Sequence, residues 1–147
     1  MQTIPRPALL LGLAGLIPFL WGALTVALPD LAAWGRSALG PRFIGPYIQV
    51  FYGAIILAFM SGVLWGFATR GTGWSGYALS VLPALWAFFT TGGGAERAGA
   101  ALIVGFLGLL ALDWQFWRKG LAPPWWMHLR VALTVIVGLA LSVDLVL

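Results

Sequence analysis

Cysteine is absent from the 147-residue sequence, and charged side chains make up only 8% of it. Without cysteine the chain can form no disulfide bond, no thiolate metal site and no cysteine nucleophile. A soluble domain carries about 25% charged residues, so a water-soluble fold could not cover its surface with so few charges. The remaining candidates are membrane proteins, and hydrophobic residues account for 61% of the chain.

Residues that could perform catalysis are equally scarce, with four acidic residues and one histidine in the whole chain. The sequence has no Ser-His-Asp set, no paired catalytic carboxylates and no HExxH motif, so we expect no enzymatic activity. His128 alone cannot build a bis-histidine haem site or a zinc site, so we expect no metal and no cofactor. The basic residues stand mostly singly at the ends of apolar runs and form no phosphate-binding stripe, so we expect no nucleic-acid partner.

Long apolar runs are what the sequence has in abundance, for example the uncharged stretch between Arg42 and Arg70. A helix that crosses a membrane needs about 20 mostly apolar residues. We therefore predict an all-α fold: a polytopic membrane helix bundle whose surroundings are the lipid bilayer. It forms one integral-membrane domain over residues 1–147, with no soluble domain. The five predicted transmembrane helices cover about residues 8–28, 47–69, 76–92, 98–116 and 131–147.

Prolines and one connection modify this simple pattern. Pro18 and Pro83 interrupt the first and third predicted helices, and a proline can kink a membrane helix when its neighbours satisfy the freed carbonyl. The first half of the connection over residues 31–46 has Leu31, Trp34, Ala38 and Leu39 on one helical face. Two interpretations stay open for it: a short amphipathic helix in the membrane interface, or an irregular loop with a tryptophan anchor.

Small residues recur at helical spacing in the second and fourth predicted helices. Such faces let two helix backbones approach closely, and van der Waals contact then drives their association in lipid. The partner can belong to the same chain or to another protein, and we favour the same chain. The predicted helix-packing residues are Ala54, Ala58, Gly62, Gly66, Ala101, Gly105 and Gly108.

The distribution of lysine and arginine predicts an orientation. Five crossings place the termini on opposite sides, with five basic residues on the N-terminal side and three on the other. Because positively charged loops stay in the cytoplasm, we predict a cytoplasmic N-terminus and a periplasmic C-terminus. The two groups are Arg6, Arg70, Arg118, Lys119 and Arg130 on one side, and Arg36, Arg42 and Arg97 on the other.

Two acidic residues lie within predicted transmembrane helices, where an ionisable side chain is a candidate for a functional role. Asp113 ends the fourth helix close to the point where Arg130 begins the fifth, so we predict an ion pair between them. Asp144 lies about 21 Å beyond Arg130 along an ideal helix, which makes it a candidate intramembrane acid. We favour a carboxylate that reaches water at the interface over a buried proton relay. The polar residues Gln49, Tyr52, Ser61 and Thr69 could line a small cavity, but we favour bonds to neighbouring carbonyls or a location near the interface.

Several segments together resemble a known family. The resemblance lies in four segments, YGAIILAFMSGVLWG, VLPALWAF, GFLGLLALDWQFW and WWMHLRVALTVIV. The opening PALLLGLAGLIPFL also matches the N-terminal start of that family. The sequence resembles the family catalogued as domain of unknown function 3429, which is similar to the animal mitochondrial transmembrane protein 69. The resemblance covers nearly the whole chain and implies a multi-pass protein of the bacterial inner membrane. It implies no particular activity.

Three functions are compatible with these features. The first is a non-catalytic accessory or assembly subunit that packs against a larger respiratory or photosynthetic membrane complex. The second is a small transporter or channel for protons or small solutes, which the scarcity of intramembrane polar groups disfavours. The third is a binder of a lipophilic ligand such as a quinone, pigment or lipid, with tryptophans as its walls. We favour the first.

Overall fold

Helices account for all the long regular elements of residues 3–147, the part of the chain that the computed structural model describes. No strand occurs among these residues, and the predicted all-α membrane bundle is confirmed. A short 3-10 turn at Pro41–Phe43 joins α3 to α4. The helices are α1 (Arg6–Ala14), α2 (Ile17–Ala27), α3 (Pro29–Leu39), α4 (Tyr47–Ala68), α5 (Ser75–Ser80), α6 (Leu82–Thr90), α7 (Ala95–Arg118) and α8 (Trp126–Val146).

Four of the predicted transmembrane segments are long and apolar enough to cross a bilayer. They are the α1–α2 pair over Arg6–Ala27, then α4, α7 and α8. Helices suit this environment because they satisfy the backbone hydrogen bonds within one segment, where no water can do so. α1 and α2 are separated at Gly15 and Leu16, immediately before Pro18. The ring of a proline clashes with the carbonyl four residues earlier, here that of Ala14, so the first helix breaks at that point.

The third predicted segment is shorter than the other four. It consists of six-residue α5 and nine-residue α6, which meet at Val81 just before Pro83. Arg70 Nη1 donates a hydrogen bond of 3.3 Å to the carbonyl of Leu121, so the end of α4 lies beside the α7–α8 loop. The 24-residue α7 begins about 36 Å from that loop. The α5–α6 segment and its flanking loops therefore carry the chain from one side of the bundle to the other.

Two helices begin earlier than the apolar runs suggest. α7 begins at Ala95 and so includes Glu96 and Arg97, and α8 begins at Trp126 and not at 131. A charged side chain ends a hydrophobic run but does not interrupt backbone hydrogen bonding, so the helix continues past it. The segment between α2 and α4 contains a helix over Pro29–Leu39, so of the two interpretations the helix is confirmed and the irregular loop is wrong.

The core runs along the inward faces of α2, α4, α7 and α8. Leucines supply most of its deeply buried apolar side chains. Because lipid tails are as apolar as leucine, close packing of these side chains, and not their removal from water, holds the bundle together. Ser61 adds a polar link, since its hydroxyl accepts a 2.8 Å hydrogen bond from the backbone N–H of Ala84. The largest buried apolar side chains are Phe19, Ile44, Leu57, Leu64, Leu102, Leu109 and Leu141.

Candidate functional site: a buried ion pair beside an apolar cavity

A charged cluster lies where α7 ends and α8 begins. Arg130 Nε donates to Asp113 Oδ2 at 2.9 Å, and Trp126 Nε1 donates to Asp113 Oδ1 at the same distance. Asp113 is 0% exposed and Arg130 6% exposed. The structure thus brings together the two residues of the predicted ion pair, and both side chains are buried in the protein interior. Each carboxylate oxygen has its own donor, which offsets the cost of burying the charge.

The local sequence explains how the cluster forms. Trp126, Arg130 and Thr134 are spaced by four residues, so all three side chains project from one face of α8. The short loop between α7 and α8 reverses the chain direction. Gly120 in this loop has a φ of 76°, a conformation that favours glycine. Trp117 Nε1 donates to the carbonyl of Pro124 at 3.1 Å and fixes the far end of the loop.

An apolar cavity of about 530 Å³ adjoins this cluster. It lies between the α1–α2 pair, α4 and α8, with Phe106 of α7 at its base. Aromatic and aliphatic side chains form most of its wall, and Arg130, Thr134 and Tyr52 contribute polar groups. Cavities of this size and composition are typical of sites for small lipophilic molecules.

Asp144 lies at the other end of α8, beside the Gln49 side chain. Both of its carboxylate oxygens are buried, and neither has a hydrogen-bond partner within the described residues. Our preference for a carboxylate that reaches water was therefore wrong: the protein covers these oxygens, although the residue as a whole is only partly buried. Gln49 is fully buried and donates to the carbonyls of Phe19 and Ala140 at 3.2 and 3.1 Å, so it joins α2, α4 and α8.

The small-residue face of α4 points away from the bundle. Ala58, Gly62 and Gly66 are exposed and Ala54 is half-buried. A Cβ atom added at Gly62 or Gly66 would meet nothing within 4 Å. Our preference for a partner helix in the same chain was therefore wrong for this face, because the spacing identifies a common face but not its direction.

The small residues of α7 are divided. Gly105 is packed inward, since an added Cβ would lie 2.7 Å from Trp86 Cδ1 and 2.9 Å from Leu57 Cδ1. Ala101 is half-buried, and its carbonyl accepts a 2.7 Å hydrogen bond from Trp86 Nε1. Gly108, by contrast, is exposed with open space around it. α7 therefore contacts α6 and α4 through Gly105 and its neighbours.

Two close contacts between helices involve glycines outside the predicted set. A Cβ at Gly22 would lie 2.5 Å from Gln49 Cγ, and one at Gly53 would lie 2.8 Å from Leu102 Cδ1. Neither belongs to a regular series of small residues, so spacing alone gave no signal for them. No group of three histidine, cysteine or acidic side chains within residues 3–147 could hold a metal ion.

Comparison with known proteins identifies a family and curated relatives of this chain. A family model described as a protein of unknown function, DUF3429, matches residues 4–146. The chain belongs to the DUF3429 family. It is 33% identical to transmembrane protein 69 of Xenopus tropicalis over 99% of this chain and 56% of that protein. The mouse protein of the same name is 31% identical over 97% of this chain and 57% of that protein.

This DUF3429 protein thus spans little more than half the length of the curated relatives it matches. No solved structure matches the chain. The family match covers residues 4–146 and therefore includes every helix from α1 to α8. The ion pair and the cavity both lie within the matched residues.

Proposed function

We propose that this protein is a non-catalytic accessory or assembly protein of the bacterial inner membrane, which packs against a larger respiratory or photosynthetic membrane complex. One observation carries the proposal: the small-residue face of α4, formed by Ala58, Gly62 and Gly66, is exposed. Small residues at a spacing of four are used in membranes for close backbone approach between helices. Within the described residues no helix of this chain covers that face.

The flanks of this face support the same proposal. Ile55 and Phe59, 60% and 66% exposed, stand on one side of the small residues, and Trp65, 49% exposed, stands on the other. Large side chains beside a shallow strip form a groove about 12 Å long, measured along the helix axis from Ala58 to Gly66. A partner helix with a complementary ridge can lie in such a groove, which distinguishes it from a uniformly leucine-rich surface in contact with lipid.

The absence of a catalytic role is proposed on chemical grounds. Asp113 accepts a hydrogen bond from Trp126 on one carboxylate oxygen and from Arg130 on the other. A general acid or base must instead reach a substrate proton within about 3 Å. The Asp113 carboxylate is occupied in holding α7 against α8, which is a structural role.

We further propose a cytoplasmic N-terminus and a periplasmic C-terminus. Support comes from the ends at which the basic residues stand, because the hydrogen bond from Arg70 to the α7–α8 loop groups Arg70 with Arg118 and Lys119. Arg130 no longer contributes to this count, since it is buried in an ion pair. The count of exposed basic residues is then four on the N-terminal side against three on the other. A reporter fused to each loop in turn measures the orientation directly.

A matched pair of substitutions tests the accessory role. Gly62→Leu adds a side chain into open space, so the protein should fold normally but lose its partner. Gly105→Leu collides with Trp86 and Leu57, so the fold itself should be destabilised. Mild detergent extraction, blue-native electrophoresis and mass spectrometry of the co-migrating proteins report assembly, and thermal unfolding reports stability.

The expected result is a wild-type band larger than the isolated protein, which the Gly62→Leu variant loses while its unfolding temperature is retained. A wild-type protein that migrates alone, or a Gly62→Leu variant that assembles fully, would contradict the proposal.

A further inference from the structure

The cavity beside the ion pair has the features of a binding site for a lipophilic molecule. Its volume is about 530 Å³, and its wall is only partly closed. Its lining comes mostly from helices long and apolar enough to span a membrane, so an opening toward the bilayer is part of the proposal made below. Gly12 and Gly15 line the α1 side, and the lack of side chains there widens the cavity.

Two polar side chains one helical turn apart on α8, Arg130 and Thr134, belong to this otherwise apolar wall. Arg130 lines the cavity and, within the described residues, uses only its Nε in a hydrogen bond to protein. The two terminal nitrogens of the guanidinium are thus available to a ligand. Thr134, one helical turn further along α8, is 5% exposed and also lines the cavity.

The Thr134 hydroxyl is the most informative of these groups. A threonine inside a helix commonly bonds to the carbonyl three or four residues earlier. Thr134 Oγ1 makes no such bond, and it has no partner among residues 3–147. A buried hydroxyl without a partner costs free energy, and a ligand that accepts its hydrogen bond removes that cost.

The charge balance restricts the chemistry of the ligand. Asp113 already neutralises Arg130, so the site as a whole has no net charge to attract an anion. A neutral hydrogen-bond acceptor, such as a carbonyl oxygen, suits it better than a phosphate or a carboxylate.

The aromatic wall restricts the shape of the ligand. Phe19 packs edge-to-face with Tyr52 at 5.3 Å and with Phe106 at 5.9 Å, and Phe67 packs in the same way with Trp126 at 5.1 Å. Rings in this arrangement offer edges and faces to a further planar ring. The pattern favours an aromatic-like head over a flexible acyl chain.

We propose that this cavity binds the head ring of an isoprenoid quinone, with one quinone carbonyl accepting hydrogen bonds from Arg130 and Thr134 and the tail leaving through the open side into the bilayer. The proposal concerns binding alone and involves no electron transfer. Phe59 contributes both to the cavity wall and to the flank of the small-residue face, but Gly62 does not line the cavity, so variants at Gly62 and at Thr134 test the two proposals separately.

Quenching of tryptophan fluorescence measures this binding, since Trp125 and Trp126 stand at the cavity wall. The purified full-length protein in phosphatidylcholine nanodiscs is titrated with a decyl-substituted benzoquinone. Binding at one site gives a saturable component above the linear quenching by quinone dissolved in lipid. Palmitate is added in a parallel titration as a competitor of similar length with an anionic head.

Two variants and one control give the titration its specificity. Thr134→Val preserves shape and removes the hydroxyl, so it should raise the Kd about three- to tenfold, the effect of one hydrogen bond. Gly12→Leu places a side chain in the cavity and should abolish the saturable component. Thr69→Val, in which a hydroxyl is removed outside the cavity, should leave the Kd unchanged.

Three results would overturn the proposal. They are purely linear quenching of the wild-type protein, a Thr134→Val variant with an unchanged Kd, and displacement of the quinone by palmitate at comparable concentration. Thermal unfolding of each variant is measured alongside, and an unfolding temperature equal to that of wild type assigns the change in Kd to the site.

Discussion

Breaking the Asp113–Arg130 pair by one substitution should be far more damaging than replacing both partners. Arg130→Met leaves a carboxylate with only the Trp126 indole as a donor, and Asp113→Asn leaves the guanidinium charge uncompensated. Removal of one partner from a buried pair typically costs about 3–5 kcal/mol. Each single variant should lose about that much free energy of unfolding.

The double variant Asp113→Asn/Arg130→Met removes both charges at once. Asparagine retains an oxygen that accepts the hydrogen bond from Trp126, so that group keeps its partner. Neutral replacement of a buried pair is often close to neutral in stability. We expect the double variant within about 1 kcal/mol of wild type, which makes the cycle strongly non-additive.

Reversible unfolding in mixed micelles with increasing SDS, followed by far-UV circular dichroism, supplies the four free energies of this cycle. Arg97→Met is the control, because Arg97 is exposed and its loss should change the free energy by less than about 0.5 kcal/mol. Single variants that lose less than about 1 kcal/mol, or a double variant that loses the sum of the two, would refute the buried pair.

Two further substitutions test packing and burial. Gly22→Ala places a Cβ 2.5 Å from Gln49 Cγ, whose side chain two hydrogen bonds hold in place, so the free energy of unfolding should fall by about 1–3 kcal/mol. Gly138→Ala, in open space on α8, should not lower it, and a loss at Gly138 equal to that at Gly22 would rule out the contact. The Asp144→Asn variant should unfold at the same or a higher SDS concentration than wild type, because burying a neutral amide costs less than burying a carboxylate without a hydrogen-bond partner. A fall of more than about 1 kcal/mol in the free energy of unfolding would show that the carboxylate has such a partner.

Hydropathy sufficed to predict the helices but not all their limits. The long uncharged runs correspond to helices because a helix satisfies all its backbone hydrogen bonds within one segment, where lipid offers no partner. The charged residues near helix ends misled the prediction of α8, which begins at Trp126 and not at 131. With the earlier start, the spacing of Trp126, Arg130 and Thr134 by four residues would have shown one shared face.

The candidate site was predictable only in part. Opposite charges at the end of one helix and the start of the next were enough to pair Asp113 with Arg130. Trp126 gave no separate signal, because tryptophans are ordinary at membrane interfaces and sequence does not distinguish an anchor from a hydrogen-bond donor. The cavity depends on how α1, α2, α4, α7 and α8 pack together, and the direction in which the Gly62 face points depends on the same packing. Local spacing contains neither kind of information.

Site-specific cross-linking from α4 tests the proposed accessory role most directly. The chain contains no cysteine, so Gly62→Cys creates a unique position for a short thiol-reactive photo-cross-linker. Leu139→Cys is the matched control, because Leu139 is 66% exposed on α8. We predict that the Gly62→Cys variant forms an adduct with one defined membrane protein, the same one that co-migrates in blue-native electrophoresis, and that the Leu139→Cys variant does not. Adducts with lipid only, with a second copy of this chain, or equally from both positions would contradict the account.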